Sequence, residues 1–234
     1  MKNFKNYLEE KFRFTLKYHS RLNPKLWHNS ELKPGISDRL MKLAYKFAEF
    51  SGIDKKKIKD IIMTGSNVNF NYVNSTSDID IHLLCDLTNY DDEELYHKKV
   101  EWTNSHSDTE AGYPLEFYAA DVSEILPNGQ GFYSILNNTW VLPPDHLDHI
   151  EALEDQFVID KIEHNIKYIK QLVKSGTIEQ IDKYKAKLHD MRTAGLHDKG
   201  EFSVENVLYK EIRNRKYIDK LNARYQVLKS LKEA

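Results

Sequence analysis

The chain has 234 residues, 40% hydrophobic and 30% charged, with a net charge of −2, which is the balance of an ordinary globular protein large enough for one big domain or two small ones. Its one cysteine, Cys85, excludes an intramolecular disulfide framework and a cysteine-based zinc site, and fits a reducing cytosol. No run approaches the ~18 apolar residues of a membrane span, and the acid-bearing N-terminus lacks the apolar core of a signal peptide, so neither is expected.

In chain order, the first 35 residues mix aromatic and basic side chains and predict a helix from about Lys5 to His19, with a break at Asn23-Pro24. Ser37 is placed to cap a helix over 38–50, whose apolar positions Leu40, Leu43, Ala44, Phe47 and Ala48 follow helical spacing, and Gly52 ends it. Ile58 to Met63 predicts a strand running into Thr64-Gly65-Ser66, and Asp78 to Cys85 alternates as a second strand. A helix over Asp91–His106 and a strand over Pro114–Ala120 follow, then an aromatic-rich stretch at 131–142 that suits a strand or a packing turn. From about Asp148 the periodicity is helical, with breaks near Gly176, near Gly195–Gly200 and around Arg215. Strands with interleaved helices, then a run of helices, predict an α/β (α+β) mixed-sheet part over 1–145, N-terminal helices included, and a helical C-terminal part over 146–234.

The charge is unevenly spread. Residues 1–60 carry 15 Lys/Arg against 7 Asp/Glu, residues 61–150 carry 2 against 15, and residues 151–234 carry 17 against 14. An acidic middle between basic ends suits a metal site whose anionic ligand is gripped by neighbouring segments, although solvated faces would leave the same pattern.

Within the acidic stretch, Asp78 and Asp80 lie on one strand face, their Cα atoms roughly 6.6 Å apart at about 3.3 Å rise per residue. Ile79, Ile81 and Leu83 face the other way. Paired carboxylates repel each other unless neutralised, and two Mg²⁺ ions about 3.5–4 Å apart would do so. Asp-x-Asp alone is weak evidence. It is sharpened by Gly65-Ser66, separated from Asp78 by eleven residues, where a strand ends and a glycine lets backbone N–H groups approach a phosphate.

Gly-Ser, about ten residues, then Asp-hydrophobic-Asp-hydrophobic resembles the signature of the DNA polymerase β-like nucleotidyltransferase superfamily. That resemblance implies a polymerase β-type mixed sheet with Gly65 and Ser66 on a nucleoside triphosphate. It also implies Asp78 and Asp80 on two Mg²⁺ ions (Mn²⁺ can substitute) and a third acid on a later strand. Glu116, inside an apolar strand, is preferred for that role, while Asp121 at the strand's end remains an alternative able to cap a turn. The implied reaction moves a nucleoside monophosphate to an acceptor hydroxyl, whether of an RNA end, a protein, a small molecule or a second nucleotide. A catalytically inactive nucleotide- or RNA-binding module of the same fold is the alternative.

The stretches His189–Leu196 and Gly200–Asn214 resemble the helical part of small nucleotidyltransferase-like proteins common in bacteriophages, which implies a bacterial or phage-infected host cytosol. Ser203 is positioned to cap a helix with Asn206 three residues on and Val207, Leu208 and Ile212 as core. Lys210, Arg213 and Asn214 share a face and, with Arg192, form a candidate patch for a triphosphate or nucleic-acid backbone; an ordinary salt-bridged helix would look the same. His82 shares the face of the Asp pair. Tyr72 and Phe70 could stack on a base or pack in the core, and His146 and His149, three residues apart, could ligate a metal, although after Pro143-Pro144 capping or solvating a helix start is preferred.

Overall fold

The computed structural model describes residues 12–74, 76–123, 130–146 and 150–233. They divide into two compact units, Lys17–Leu147 on one side and Met1–Leu16 with Asp148–Ala234 on the other.

The first unit is a mixed α/β structure. A two-stranded hairpin, β1 (Trp27–His28) and β2 (Glu31–Leu32), precedes α1 (Ile36–Phe50), and the six-stranded sheet follows. Its strands are β3 (Ile58–Thr64), β4 (Ile79–Cys85), β5 (Thr109–Glu110), β6 (Tyr113–Asp121), β7 (Phe132–Ser134) and β8 (Thr139–Leu142), in spatial order β5-β6-β4-β3-β7-β8. β4 and β6 run parallel, with α2 (Asp92–Ser105) in the connection between them, and the other pairings are antiparallel. The aromatic stretch at 131–142 thus resolves into two strands.

Register sorts the side chains. Met63 pairs with Ile81 and Ile81 with Phe117, while Ile61 pairs with Leu83 and Ile79 with Leu115. These seven residues are buried and form one core with Leu40, Ala44 and Phe47 of α1 and Trp102 of α2. The helical spacing of α1 is therefore what covers this face. Gly35 (φ 83), rather than Ser37, occupies the N-cap, and Ser37 sits in the first turn, where its hydroxyl donates to the Ile135 carbonyl at 3.2 Å. On the same face of the sheet, Trp27 and Trp140 stack at 5.0 Å, and Tyr133, in register with Met63, meets both rings edge-on.

The second unit is helical: α3 (Gln156–Ser175), α4 (Ile178–Lys199), α5 (Val204–Asn214) and α6 (Tyr217–Glu233). Thr177 and Gln180 form a capping box for α4, and Ser203 caps α5 by accepting from the Asn206 N–H at 3.3 Å. Val158, Ile162, Ile169, Leu188, Val207, Ile212 and Leu221 fill the core. Gly176, Gly200 and Lys216 (φ 64) mark the breaks, but Gly195 lies within α4. A Cβ there would come within 2.6 Å of Ser203 Oγ and 2.8 Å of Glu205 Cβ, so this glycine serves close packing and breaks nothing.

The expected N-terminal helix is not formed where it is described: Phe12 to His19 is non-helical, and the rest of the span lies outside the described residues. The reason is tertiary. Leu16 joins the helical core with Phe12 and Phe14 packed against it, and the fully buried Glu211 carboxylate of α5 accepts from Thr15 N (2.7 Å), Thr15 Oγ1 (2.8 Å) and Leu16 N (2.9 Å). Those bonds satisfy extended backbone that a helix would have paired internally. Among the described residues, no helix is long and apolar enough to cross a membrane.

Candidate active site

The sheet face opposite the core carries the polar residues. Along β4 burial alternates, with Ile79, Ile81, Leu83 and Cys85 buried and Asp80, His82 and Leu84 partly open. Asp78, one residue before the strand, is half-buried like Asp80. Across the parallel pairing Asp80 stands beside Glu116, and His82 beside Tyr118; across the antiparallel pairing Asp80 stands beside Thr64. Neighbours in register share a face, so Thr64, Asp80 and Glu116 form one row and Ile62, His82 and Tyr118 the next. Asp121 pairs with Cys85 at the other end of β6, on the opposite parity from Glu116. It caps a turn there, accepting from Ser123 N (2.9 Å), Ser123 Oγ and Leu87 N (3.2 Å), bonds that hold its carboxyl below the usual range.

Gly65 closes β3 at φ 81, ψ −167, a conformation essentially reserved for glycine. The loop it opens is braced by buried asparagines. Asn69 donates to the Gly65 carbonyl (2.6 Å) and accepts from Gly131 N (2.8 Å). Asn67 donates to the Asp78 carbonyl (2.7 Å) and accepts from Asn23 Nδ2 (2.6 Å). Ser66 Oγ lies 2.7 Å from Ser77 Oγ, one residue before Asp78. The loop thus fixes the entry to β4 by hydrogen bonds to its own backbone.

Glu116 is tied on a single oxygen. Tyr118 donates its hydroxyl to Oε2 at 2.5 Å, and Lys99 of α2 places Nζ 3.4 Å from the same atom and 4.4 Å from the Tyr118 ring centre. Burial, the bond to Glu116 and the nearby charges of Asp80, Glu116 and Asp78 all raise the Tyr118 pKa. His82 stacks on that ring at 4.8 Å, and burial pushes its pKa down to about 4, so it is neutral at pH 7. Thr64 is 8% exposed, and its buried hydroxyl has no hydrogen-bond partner among the described residues.

In this arrangement, no group of three His, Cys, Asp or Glu side chains among the described residues is gathered closely enough to hold a metal ion. The donor set is nonetheless hard oxygen, the kind that suits Mg²⁺. Asp80 and Glu116 stand side by side in register, with Asp78 two residues before Asp80.

Arg192 donates to Asn206 Oδ1 (3.4 Å) and lies over the Tyr209 ring at 5.0 Å. Lys210 is buried against Glu201, Arg213 is half-buried, and Asn214 donates to Thr15 Oγ1 (3.1 Å). All four belong to the helical unit. Tyr72 stacks on His19 at 3.9 Å, Phe70 lies against His146 at 4.9 Å, and His149 falls outside the described residues. Sequence reasoning missed Tyr118, Lys99, Thr64 and the asparagine braces. Two signals were present: Tyr118 stands two residues from Glu116, and Lys98 and Lys99 are the sole cationic residues of the acidic stretch 61–150.

No protein-family model and no curated protein matches the chain. Among solved structures it is similar to a STING-associated CdnE c-di-GMP synthase from Capnocytophaga granulosa, at 13% identity over 86% of this chain and 84% of that chain, with a TM-score of 0.21. So low a score leaves the functional reading to rest on the residues themselves.

Proposed function

We propose that the chain is a metal-dependent nucleotidyltransferase that moves a nucleoside monophosphate from a nucleoside triphosphate to an acceptor hydroxyl. The observation that carries this reading is the register of Asp80 beside Glu116, with Asp78 two residues earlier and the Gly65-Ser66 turn at the end of the adjoining strand. Asp78, Asp80 and Glu116 would hold two Mg²⁺ ions, or Mn²⁺ in their place. Bound there, the ions would lower the pKa of the acceptor hydroxyl and offset charge on the departing pyrophosphate.

Ser66 and the backbone of the glycine turn would hold the β- and γ-phosphates, in the manner of other anion-binding loops. The acceptor oxygen bonds to the α-phosphorus as the bond from that phosphorus to the bridging β-oxygen breaks, and pyrophosphate leaves. Glu116 takes the acceptor's proton and passes it to solvent. Neutral His82, one row along from Asp80 and Glu116, adds no positive charge beside them.

The test is incubation with α-labelled triphosphates, Mg²⁺ or Mn²⁺ and cell extract. Label should enter an acceptor, and the Asp78→Asn/Asp80→Asn double variant should abolish this; undiminished labelling by that variant sinks the mechanism. The tie of Glu116 to Lys99 and Tyr118 favours a second reading, a binding module that has lost its chemistry. Mn²⁺ binding separates them: an active site loses it on Asp80→Asn, whereas a retired one has none to lose.

A further inference from the structure

A cavity of about 250 Å³ lies between α2 and the outer edge of β6. β5 pairs only with Tyr113 and Pro114 of that edge, which leaves the later residues of β6 to border the helix. Leu87 and Leu95 supply apolar walls, Tyr96 stands 63% exposed, and Asp92 and Lys99 bring one charge of each sign. The two remaining features tie the cavity to the acids: Tyr118 and Lys99 both line it, and both bond Glu116 Oε2. A ligand seated here is one side chain away from the third carboxylate.

We infer that this cavity is the acceptor subsite and takes a nucleoside unit, its base between the apolar walls and Tyr96, its sugar hydroxyls directed toward Glu116. The inference rests on the transferase reading for the word acceptor, but the binding site stands on its own geometry. Size sets the first limit. An engineered cavity of roughly 150 Å³ holds one benzene ring, and pockets for drug-sized ligands run from about 300 Å³ upward. A volume between these takes one heterocycle and leaves the sugar at the mouth. Chemistry sets the second. A base offers a flat face for an aromatic ring and N–H donors for a carboxylate such as Asp92, and its phosphate is an anion for Lys99. The unit could come from a free nucleotide or from the end of an RNA chain, and the two sources present the same chemistry to the cavity.

The experiment is calorimetric titration of the full chain with each of the four nucleoside 5′-monophosphates and with a short RNA oligonucleotide, with neither metal nor triphosphate present. At least one should bind, and Tyr96→Ala and Asp92→Asn, both at exposed positions, should each weaken binding about tenfold. Binding of monophosphates identifies free nucleotide as the source, and binding of the oligonucleotide alone identifies the chain end. If nothing binds, or if both variants bind as the parent does, the inference is overturned. A chain that binds through Tyr96 and Asp92 yet transfers no label keeps this subsite and refutes the transferase reading.

Discussion

Gly65 and Asp80 are fitted so closely that a Cβ on the glycine would stand 2.2 Å from Asp80 Oδ2. The backbone at Gly65 is also strained for any other residue, at φ 81. Two costs follow on substitution, and they act on different links. The atom in the way is the end of a side chain, which can rotate aside, so the clash itself moves the carboxylate rather than unfolding the strand. The backbone strain remains, at about 1–3 kcal/mol. Gly65→Ala is therefore expected to fold with a modestly lower urea midpoint and to lose most of its Mn²⁺ binding and label transfer. Retained activity with lowered stability would show that the Asp80 position matters less than proposed.

Lys99 holds Glu116 by an ion pair with side-chain exposures of 23% and 32%. Such a pair, partly screened, is worth at most about 1 kcal/mol. In the proposed site it competes with a cation for the same oxygen. Lys99→Met is expected to bind Mn²⁺ a few-fold more tightly, read by the loss of the free-ion electron paramagnetic resonance signal. Weaker binding would assign Lys99 to the ligand side instead.

His82 carries a pH signature. Its pKa is about 4 when folded, lowered by burial, against about 6.5 when the chain is unfolded. Between those values the unfolded chain binds more protons, so stability rises with pH. The contribution is complete above about pH 6.5 and lost as pH falls toward 4, amounting to about 3 kcal/mol. Urea midpoints measured across this window should fall steeply for the parent and less for His82→Gln. Parallel curves would place the titration elsewhere.

Glu211 is fully buried and accepts from Thr15, Leu16 and Arg215, the last at 3.0 Å. Glu211→Ala leaves the Thr15 and Leu16 donors without their acceptor and is expected to destabilise the helical unit by about 1–3 kcal/mol. Arg215→Ala, which removes a more exposed partner, should cost less. Equal effects would contradict the account of how the segment around Thr15 is held.

These residues also show what the sequence could reveal. Period-two alternation at Asp78–Cys85 placed both aspartates on one face, because only one register buries Ile79, Ile81 and Leu83 together. The spacing of Leu40, Ala44, Phe47 and Ala48 and the cap at Ser203 were legible for the same reason, since each depends on neighbours within a turn or two. The segment at Phe12–His19 was misread because its partner, Glu211, lies 196 residues from Thr15. Lys99's part in the tie to Glu116 was equally hidden, since it depends on how α2 packs against β6. Gly195 looked like a break because close packing and chain reversal call for the same residue.

The tryptophans have a practical consequence. Trp27, Trp102 and Trp140 are the only three, and all lie within Lys17–Leu147. The helical unit has none, yet its four helices run to 20, 22, 11 and 17 residues against 15 and 14 for α1 and α2. Indole emission therefore reports on the α/β unit alone, while far-ultraviolet circular dichroism is weighted toward the helical unit. A single unlabelled sample thus carries two separable optical reporters, and divergent melting curves would reveal whether the units come apart independently.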